Sequence, residues 1–168
     1  MADMSDFDTG EQIPELDKDT RFSKAVKDTY ENVSMLVRIL KEISDDLKNS
    51  DIKIRYWYPP LEEATALLNR LKTHIPNDTT TDKIKSIKMS KYDHSLYEDT
   101  LKTRRNNAWC ENRYRTQLHS TPCENERHND CFLGYLLTNN NWQREIERLI
   151  ARDSEIIDLL IDTYNCGM

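Results

Sequence analysis

Glycine is scarce in this sequence, with three residues among 168. Tight hairpins, phosphate-cradling loops and catalytic elbows all depend on the backbone freedom of glycine. The chain contains no GxxxxGK[ST], GxGxxG or GxSxG pattern, and it also lacks HExxH and Glu-x-x-His. The sequence therefore gives no support to five classes of protein: P-loop, Rossmann-fold, α/β-hydrolase, zinc-protease and di-iron proteins. We predict that the protein is not an enzyme.

Long apolar runs are also missing, because no stretch of 18 apolar residues occurs and hydrophobic residues make up 37% of the chain. We therefore expect no membrane span. The start of the sequence is acidic and has no hydrophobic region of the kind found in signal peptides. We expect an intracellular protein, cytoplasmic or nuclear, whose four cysteines are kept reduced or bind metal.

Charge is plentiful and unevenly distributed. Charged residues are 32% of the chain and its net charge is −6. Residues 83–118 carry a net +5, between residues 1–50 and 119–168, which each carry −5. Residues 1–20 hold seven carboxylates and one lysine. We predict that residues 1–20 form a disordered acidic tail and that residues 21–168 form a single helical domain.

A heptad seam marks the first helix. Its apolar positions alternate in steps of four and three, with Thr29 the one polar member. The seam consists of Phe22, Val26, Thr29, Val33, Leu36, Leu40, Ile43 and Leu47. Such a seam is buried against other helices of the same chain, or it joins two copies in a homo-oligomer.

Within residues 51–58 every second side chain is aliphatic or aromatic, a spacing typical of extended backbone: Ile52, Ile54, Tyr56 and Tyr58 alternate with Lys53, Arg55 and Trp57. No second strand is evident, so we predict a short extended crossover. Tyr56, Trp57 and Tyr58 are the candidate aromatic anchors for a partner, since aromatic residues dominate interface hot spots. Ordinary packing of the crossover is the alternative role for these three side chains.

Four further helical regions follow the crossover. Pro60 opens an apolar pattern that stops at Pro76, and Asp82 is the expected cap of a short helix. Residues 92–118 have helical spacing with few apolar residues. Residues 142–164 have a broad apolar face, preceded by a capping box of Asn140 with Gln143. The fold class we predict is all-α, a bundle of about five helices.

Cysteine and histidine cluster in the least helical stretch of the sequence. The spacing is C-x8-H-x3-C-x4-H-x2-C, which matches no standard zinc finger. Free thiols and surface histidines around a turn are the ordinary interpretation, and a structural zinc is the alternative. The candidate ligands are Cys110, His119, Cys123, His128 and Cys131.

The basic middle segment interleaves cations with aromatic side chains, a combination that binds nucleic acid. The candidate residues are Lys102, Arg104, Arg105, Trp109, Arg113, Tyr114 and Arg115. The chain as a whole is acidic, with a pI near 5.3, unlike a dedicated nucleic-acid binder. A basic face that docks on acidic groups of a partner, or of this chain, is the preferred interpretation.

These observations together predict a non-catalytic helical module that binds another protein, as an adaptor subunit or a small regulator. The alternative function is that of a regulatory protein that binds nucleic acid through the basic segment, residues 83–118. In this alternative, a structural zinc is a further option for stabilising the fold. The sequence identifies no partner.

Overall fold

The computed structural model describes residues 19–48, 60–78, 80–120 and 140–166. Within these ranges the chain forms five α-helices and one 3-10 turn, and no β-strand. In chain order they are α1 (Arg21–Lys48), α2 (Leu61–His74), α3 (Asp82–Ser86), the 3-10 turn (Lys91–Asp93), α4 (His94–Ser120) and α5 (Asn140–Cys166). The predicted all-α bundle is confirmed. The predicted tail up to residue 18 and the crossover near residues 51–58 lie outside the described residues.

The heptad seam lies on the buried side of α1. All eight of its positions are buried, including Thr29. The seam is covered by helices of the same chain, since α1 packs against α2, α4 and α5. The seam therefore leaves no apolar stripe exposed through which two copies could join. Of the two alternatives, burial against helices of the same chain describes α1.

The four long helices form a bundle in which α1 and α4 run parallel. Asp28 pairs with Arg104 and, further along both helices, Glu42 pairs with Arg115. Helix α5 runs antiparallel to α1, because Phe22 near the start of α1 stacks on Tyr164 near the end of α5. Helix α2 fills the remaining side and contacts α1 and α5. The α4–α5 pair therefore has an outer face that α2 does not cover.

The core comprises two apolar clusters along the bundle. One joins the first half of α1 to the second half of α5, with side chains of α2 and α3. The other joins the second half of α1 to the first half of α5. Leu40, which is fully buried, belongs to the second cluster. No helix within the described ranges is long and apolar enough to cross a bilayer.

Helix boundaries differ from the predicted ones at two caps. Thr81 is the N-cap of α3, since its side chain accepts a hydrogen bond from the backbone N–H of Ile84, so the predicted cap at Asp82 is wrong by one residue. Helix α5 begins at Asn140, so Asn140 is the first helical residue and not the cap before it. In both cases the predicted helix exists, and its first turn is displaced by one residue.

Candidate interaction cleft

One edge of α4 is occupied by ion pairs to α1. Arg104 bonds to Asp28 at 2.8 Å and lies 2.9 Å from Glu31. Arg115 lies 3.2 Å from Glu42. These two arginines of the basic segment therefore neutralise carboxylates of the same chain, as the preferred interpretation expects of a face that docks on acidic groups.

Tyr114 is also directed into the bundle. Its side chain is 2% exposed, and its hydroxyl donates a hydrogen bond to the carboxylate of Asp46 on α1. Burial, reinforced by Asp46, strongly raises the pKa of the phenol. The ring packs edge-on against Trp142 of α5, with 6.2 Å between the ring centroids. Tyr114 thus joins three helices and is not available for stacking on a base.

Polar side chains form a layer inside the bundle beside the cleft described below. The Asn32 amide donates to the carbonyl of Thr100 at 3.1 Å, and the Asn107 amide donates to the carbonyl of Asn32 at 2.8 Å. Asp153 of α5 is fully buried beside the Asn107 side chain. Buried polar groups need defined partners, so this layer fixes the register of α1 against α4.

A surface cleft runs between α4 and α5 along the face that α1 and α2 leave open. One part has a volume of about 400 Å³ and the other about 360 Å³. Arg148 lines both parts, so the two adjoin each other, and we call them together the basic cleft. Its charged lining residues are Asp99, Lys102, Arg113, Arg144, Glu145, Arg148 and Arg152.

The basic cleft holds five cations and two carboxylates. Arg152 is paired with Asp99 across the cleft and with Glu155 on its own helix. The other four cations, Lys102, Arg113, Arg144 and Arg148, make no ion pair within the ranges that the structure describes. A groove lined mainly by one sign of charge focuses its field and attracts ligands of the opposite sign.

Two tryptophans border a small gap beside the cleft, at the end where Arg113 lies. Trp109 is 45% exposed, and the guanidinium of Arg113 stacks over its ring at 5.0 Å. Trp142 is buried, and its Nε1–H donor has no partner among the described groups. A narrow gap of about 10 Å³ separates these tryptophans, bordered by Arg113 and Glu145. Stacking holds the Arg113 side chain against an apolar surface while its charge faces the cleft.

Glu145 is the carboxylate that lines the same space as Arg113, Arg144 and Arg148. Burial raises the pKa of Glu145, while the charges of Arg148 and Arg113 oppose that increase. None of these arginines lies within ion-pair distance of Glu145. The carboxylate therefore offsets part of the positive charge without occupying the donor groups of the guanidiniums.

The predicted residues divide between the cleft and other places. Lys102, Trp109 and Arg113 lie at the cleft, whereas Arg105 is exposed outside its lining. The predicted anchor Tyr56, Trp57 and Tyr58 lies outside the described residues. Sequence reasoning missed a stripe of arginines on α5, whose four-residue spacing puts them on one helix face. That stripe is Arg144, Arg148 and Arg152.

The predicted zinc cluster is described only in part. Cys110 is buried in α4, and burial raises the pKa of its thiol to about 12, which disfavours the thiolate that zinc requires. His119 belongs to the same helix. Nine residues of helix separate the two Cα atoms by about 13.5 Å along the axis, too far for both side chains to reach one ion.

Cys123, His128 and Cys131 lie outside the described residues, so zinc binding by these three stays a prediction. Within the residues that the structure describes, no group of three or more potential ligands is placed to hold a metal ion. Comparisons with protein-family models, with curated proteins and with solved structures found no match to this chain.

Proposed function

We propose that the protein is a non-catalytic interaction module whose basic cleft between α4 and α5 binds an acidic segment of a partner protein. The observation that supports this function is the set of four cations in the cleft that have no ion-pair partner within the described residues. These cations gather on one face of a chain whose net charge is −6. Two free cysteines, Cys110 and Cys166, are consistent with a reducing intracellular compartment.

The length of the cleft indicates the size of the segment that fits it. Asp99 and Arg113 mark its ends on α4, and fourteen residues of helix span about 21 Å. An extended peptide covers about 3.3 Å per residue, so about six or seven residues fill the cleft. Carboxylates on such a segment meet Lys102 near one end and the arginines Arg113, Arg144 and Arg148 near the other.

Single-stranded nucleic acid is the second candidate, because Trp109 is exposed beside the arginines and every base can stack on such a ring. Two features favour a protein segment. Asp99 and Glu145 place negative charge at two points of the cleft. A peptide can carry neutral residues opposite them, whereas a phosphodiester backbone has a negative charge at every nucleotide. Among the described residues, Trp109 is also the one exposed aromatic ring beside the cleft, whereas a single-strand site stacks several successive bases.

The test measures how a labelled peptide of about seven residues, rich in Asp and Glu, binds to the full-length protein by fluorescence anisotropy. We expect micromolar affinity that weakens with salt, and at least a tenfold loss in the double variant Arg144→Glu, Arg148→Glu. Lys72→Glu, which reverses an exposed charge on α2, is the matched control and should leave affinity unchanged. A single-stranded oligonucleotide of similar charge is measured in parallel.

Three results would count against this function. One is peptide binding that the double variant leaves intact. Another is tighter binding of the oligonucleotide than of the peptide, which would favour the nucleic-acid reading. The third concerns the chain's own acidic residues 1–18: if neutralising their six carboxylates raises peptide affinity more than tenfold, those residues are the cleft's resident ligand.

A further inference from the structure

The two ends of the basic cleft differ in how their cations are used. At one end Arg152 is already paired with Asp99, which leaves Lys102 as the available cation. At the other end Arg113, Arg144 and Arg148 line a single space of about 360 Å³ and make no ion pair within the described residues. The second end therefore concentrates charge and hydrogen-bond donors that the rest of the fold leaves unused.

These three arginines come from two helices and are directed into one space. Arg144 and Arg148 are one helical turn apart on α5, and Arg113 projects from α4, held over the Trp109 ring. Each guanidinium presents several donors in a planar fork that matches the oxygens of a carboxylate or a phosphate. Three forks around one space exceed what a single carboxylate with two oxygens can satisfy.

The charge of this space also exceeds one unit. Three guanidiniums and Glu145 give a net charge of about +2 when the carboxylate is ionised. A side-chain carboxylate brings −1, while a phosphorylated serine or threonine brings −1.5 to −2 and three strong acceptor oxygens.

We propose that the Arg113–Arg144–Arg148 space binds a phosphorylated side chain on the acidic segment of the partner. This inference rests on the proposed function, since it assigns one position of the segment that the cleft binds. The protein then acts as a reader of phosphorylation, and its affinity for the partner is set by modification of that one residue. The other end of the cleft, with Lys102, binds the unmodified acidic residues beside it.

The experiment compares three versions of one acidic peptide of about nine residues that differ at a central position, which carries serine, phosphoserine or glutamate. Binding to the full-length protein is measured by anisotropy at fixed ionic strength. We expect the phosphoserine peptide to bind at least about tenfold more tightly than the glutamate peptide. Inorganic phosphate should compete weakly, because it lacks the contacts that the rest of the segment makes.

Variants then locate the selectivity. Replacing Arg144 and Arg148 by Gln should reduce the preference for phosphoserine over glutamate to less than about threefold. Arg105→Gln, on the exposed surface of α4 outside the cleft lining, should leave that preference intact. The three substituted arginines, Arg105, Arg144 and Arg148, are exposed, so the variants should fold. Circular dichroism verifies that each variant remains helical.

The pH dependence gives an independent readout. The second pKa of a phosphate monoester is about 6, so the preference for phosphoserine should shrink when pH falls from about 7.5 to 5.5. Protonation of Glu145 as pH falls would favour the more highly charged peptide, so a preference that shrinks reports protonation of the phosphate itself. A ratio that stays constant over this range would contradict recognition of a dianion.

The outcomes separate the two proposals. If phosphoserine and glutamate peptides bind equally and both are lost in the Arg144, Arg148 variant, the phosphate assignment is overturned and the acidic-segment function stands. If no peptide binds, both proposals fail. If a single-stranded oligonucleotide binds more tightly than the phosphopeptide through the same arginines, the ligand is nucleic acid and not a phosphorylated protein.

Discussion

The carboxyl group of Asp153 on α5 lies beside the side-chain amide of Asn107 on α4, in the interior of the bundle. Neither oxygen of this carboxyl makes a hydrogen bond among the described residues, and Asp153 is 0% exposed. Burial raises its pKa to about 7, with the Asn107 amide opposing the increase. A buried carboxyl without a cationic partner is favoured in its neutral form.

This carboxyl makes stability depend on pH. The ordinary pKa of the side chain is 3.8, so between about pH 4 and 7 the folded protein retains a proton that the unfolded chain releases. The free energy of unfolding should therefore fall as pH rises through this window, by about 4 kcal/mol in all, and level off above it. Urea denaturation at several pH values between 5 and 8 measures the fall.

Asp153→Asn isolates the contribution of this group, since it keeps the side-chain shape and removes the titration. The variant should exceed the wild type by roughly 1–2 kcal/mol at pH 5, and this difference should grow to roughly 4 kcal/mol at pH 8. Asp162→Asn, at an exposed position on the same helix, should show no such gain. A variant that is less stable than the wild type at pH 8 would mean that the ionised carboxylate stabilises the fold.

Leu40 provides a direct test of the core. It is fully buried at the middle of the α1 seam, so Leu40→Ala should lower the free energy of unfolding by about 2–5 kcal/mol. Leu159→Ala changes the same side chain at an exposed position on α5 and should cost less than about 0.5 kcal/mol. Because the seam is buried within the chain, dilution of the protein should not alter the measured stability.

The sequence predicted the helices well because burial imposes a period on the chain. The steps of four and three along α1 follow from the helical repeat, and every one of those positions is buried. Asp153 is a polar residue within the apolar face of the last helix, and it is nevertheless fully buried. Its Asn107 neighbour lies on a different helix, which no period within one segment can reveal.

The basic cleft was only half predicted, for a related reason. Lys102, Trp109 and Arg113 stood out because residues 83–118 carry a net +5. The arginines of α5 lie in residues 119–168, whose net charge is −5. The net charge of that segment does not show that its arginines share one face of the helix. Which helices are neighbours depends on packing of the whole chain, and that pairing decides that Arg144 and Arg148 face Arg113.

Cys110 should be chemically inert in the folded protein. Burial raises the pKa of its thiol to about 12, so at neutral pH almost none is thiolate, the form that reacts with alkylating reagents. In a variant with Cys123→Ser and Cys131→Ser, iodoacetamide should modify the exposed Cys166 first and Cys110 only on unfolding. Peptide mass spectrometry after timed quenching reads both rates. Equal rates would contradict the burial of Cys110 in α4.

Zinc binding by the remaining candidates has its own test. If Cys123, His128 and Cys131 bind zinc, elemental analysis of the purified protein should find about one equivalent, and Cys123→Ser should release it. Cys110→Ala should leave the metal content unchanged, because α4 keeps this thiol inside the bundle and away from His119. Loss of zinc in the Cys110 variant would require α4 to be interrupted before its last turn.

Arg104 and Arg105 are adjacent in sequence and should behave differently. Arg104 pairs with Asp28, a carboxylate that is 7% exposed and whose pKa is raised by burial and lowered by Arg104. Arg104→Ala leaves that carboxylate buried without its partner, and the free energy of unfolding should fall by about 1–3 kcal/mol. Arg105 makes no ion pair within the described residues, so Arg105→Ala should be neutral within about 0.5 kcal/mol. Urea denaturation measures both, and Arg104→Ala combined with Asp28→Asn should recover part of the loss.

Neither single variant should change the affinity of an acidic peptide, because neither arginine lines the basic cleft. A loss of peptide binding in Arg105→Ala with stability unchanged would move the binding surface from the α4–α5 groove to the outer face of α4.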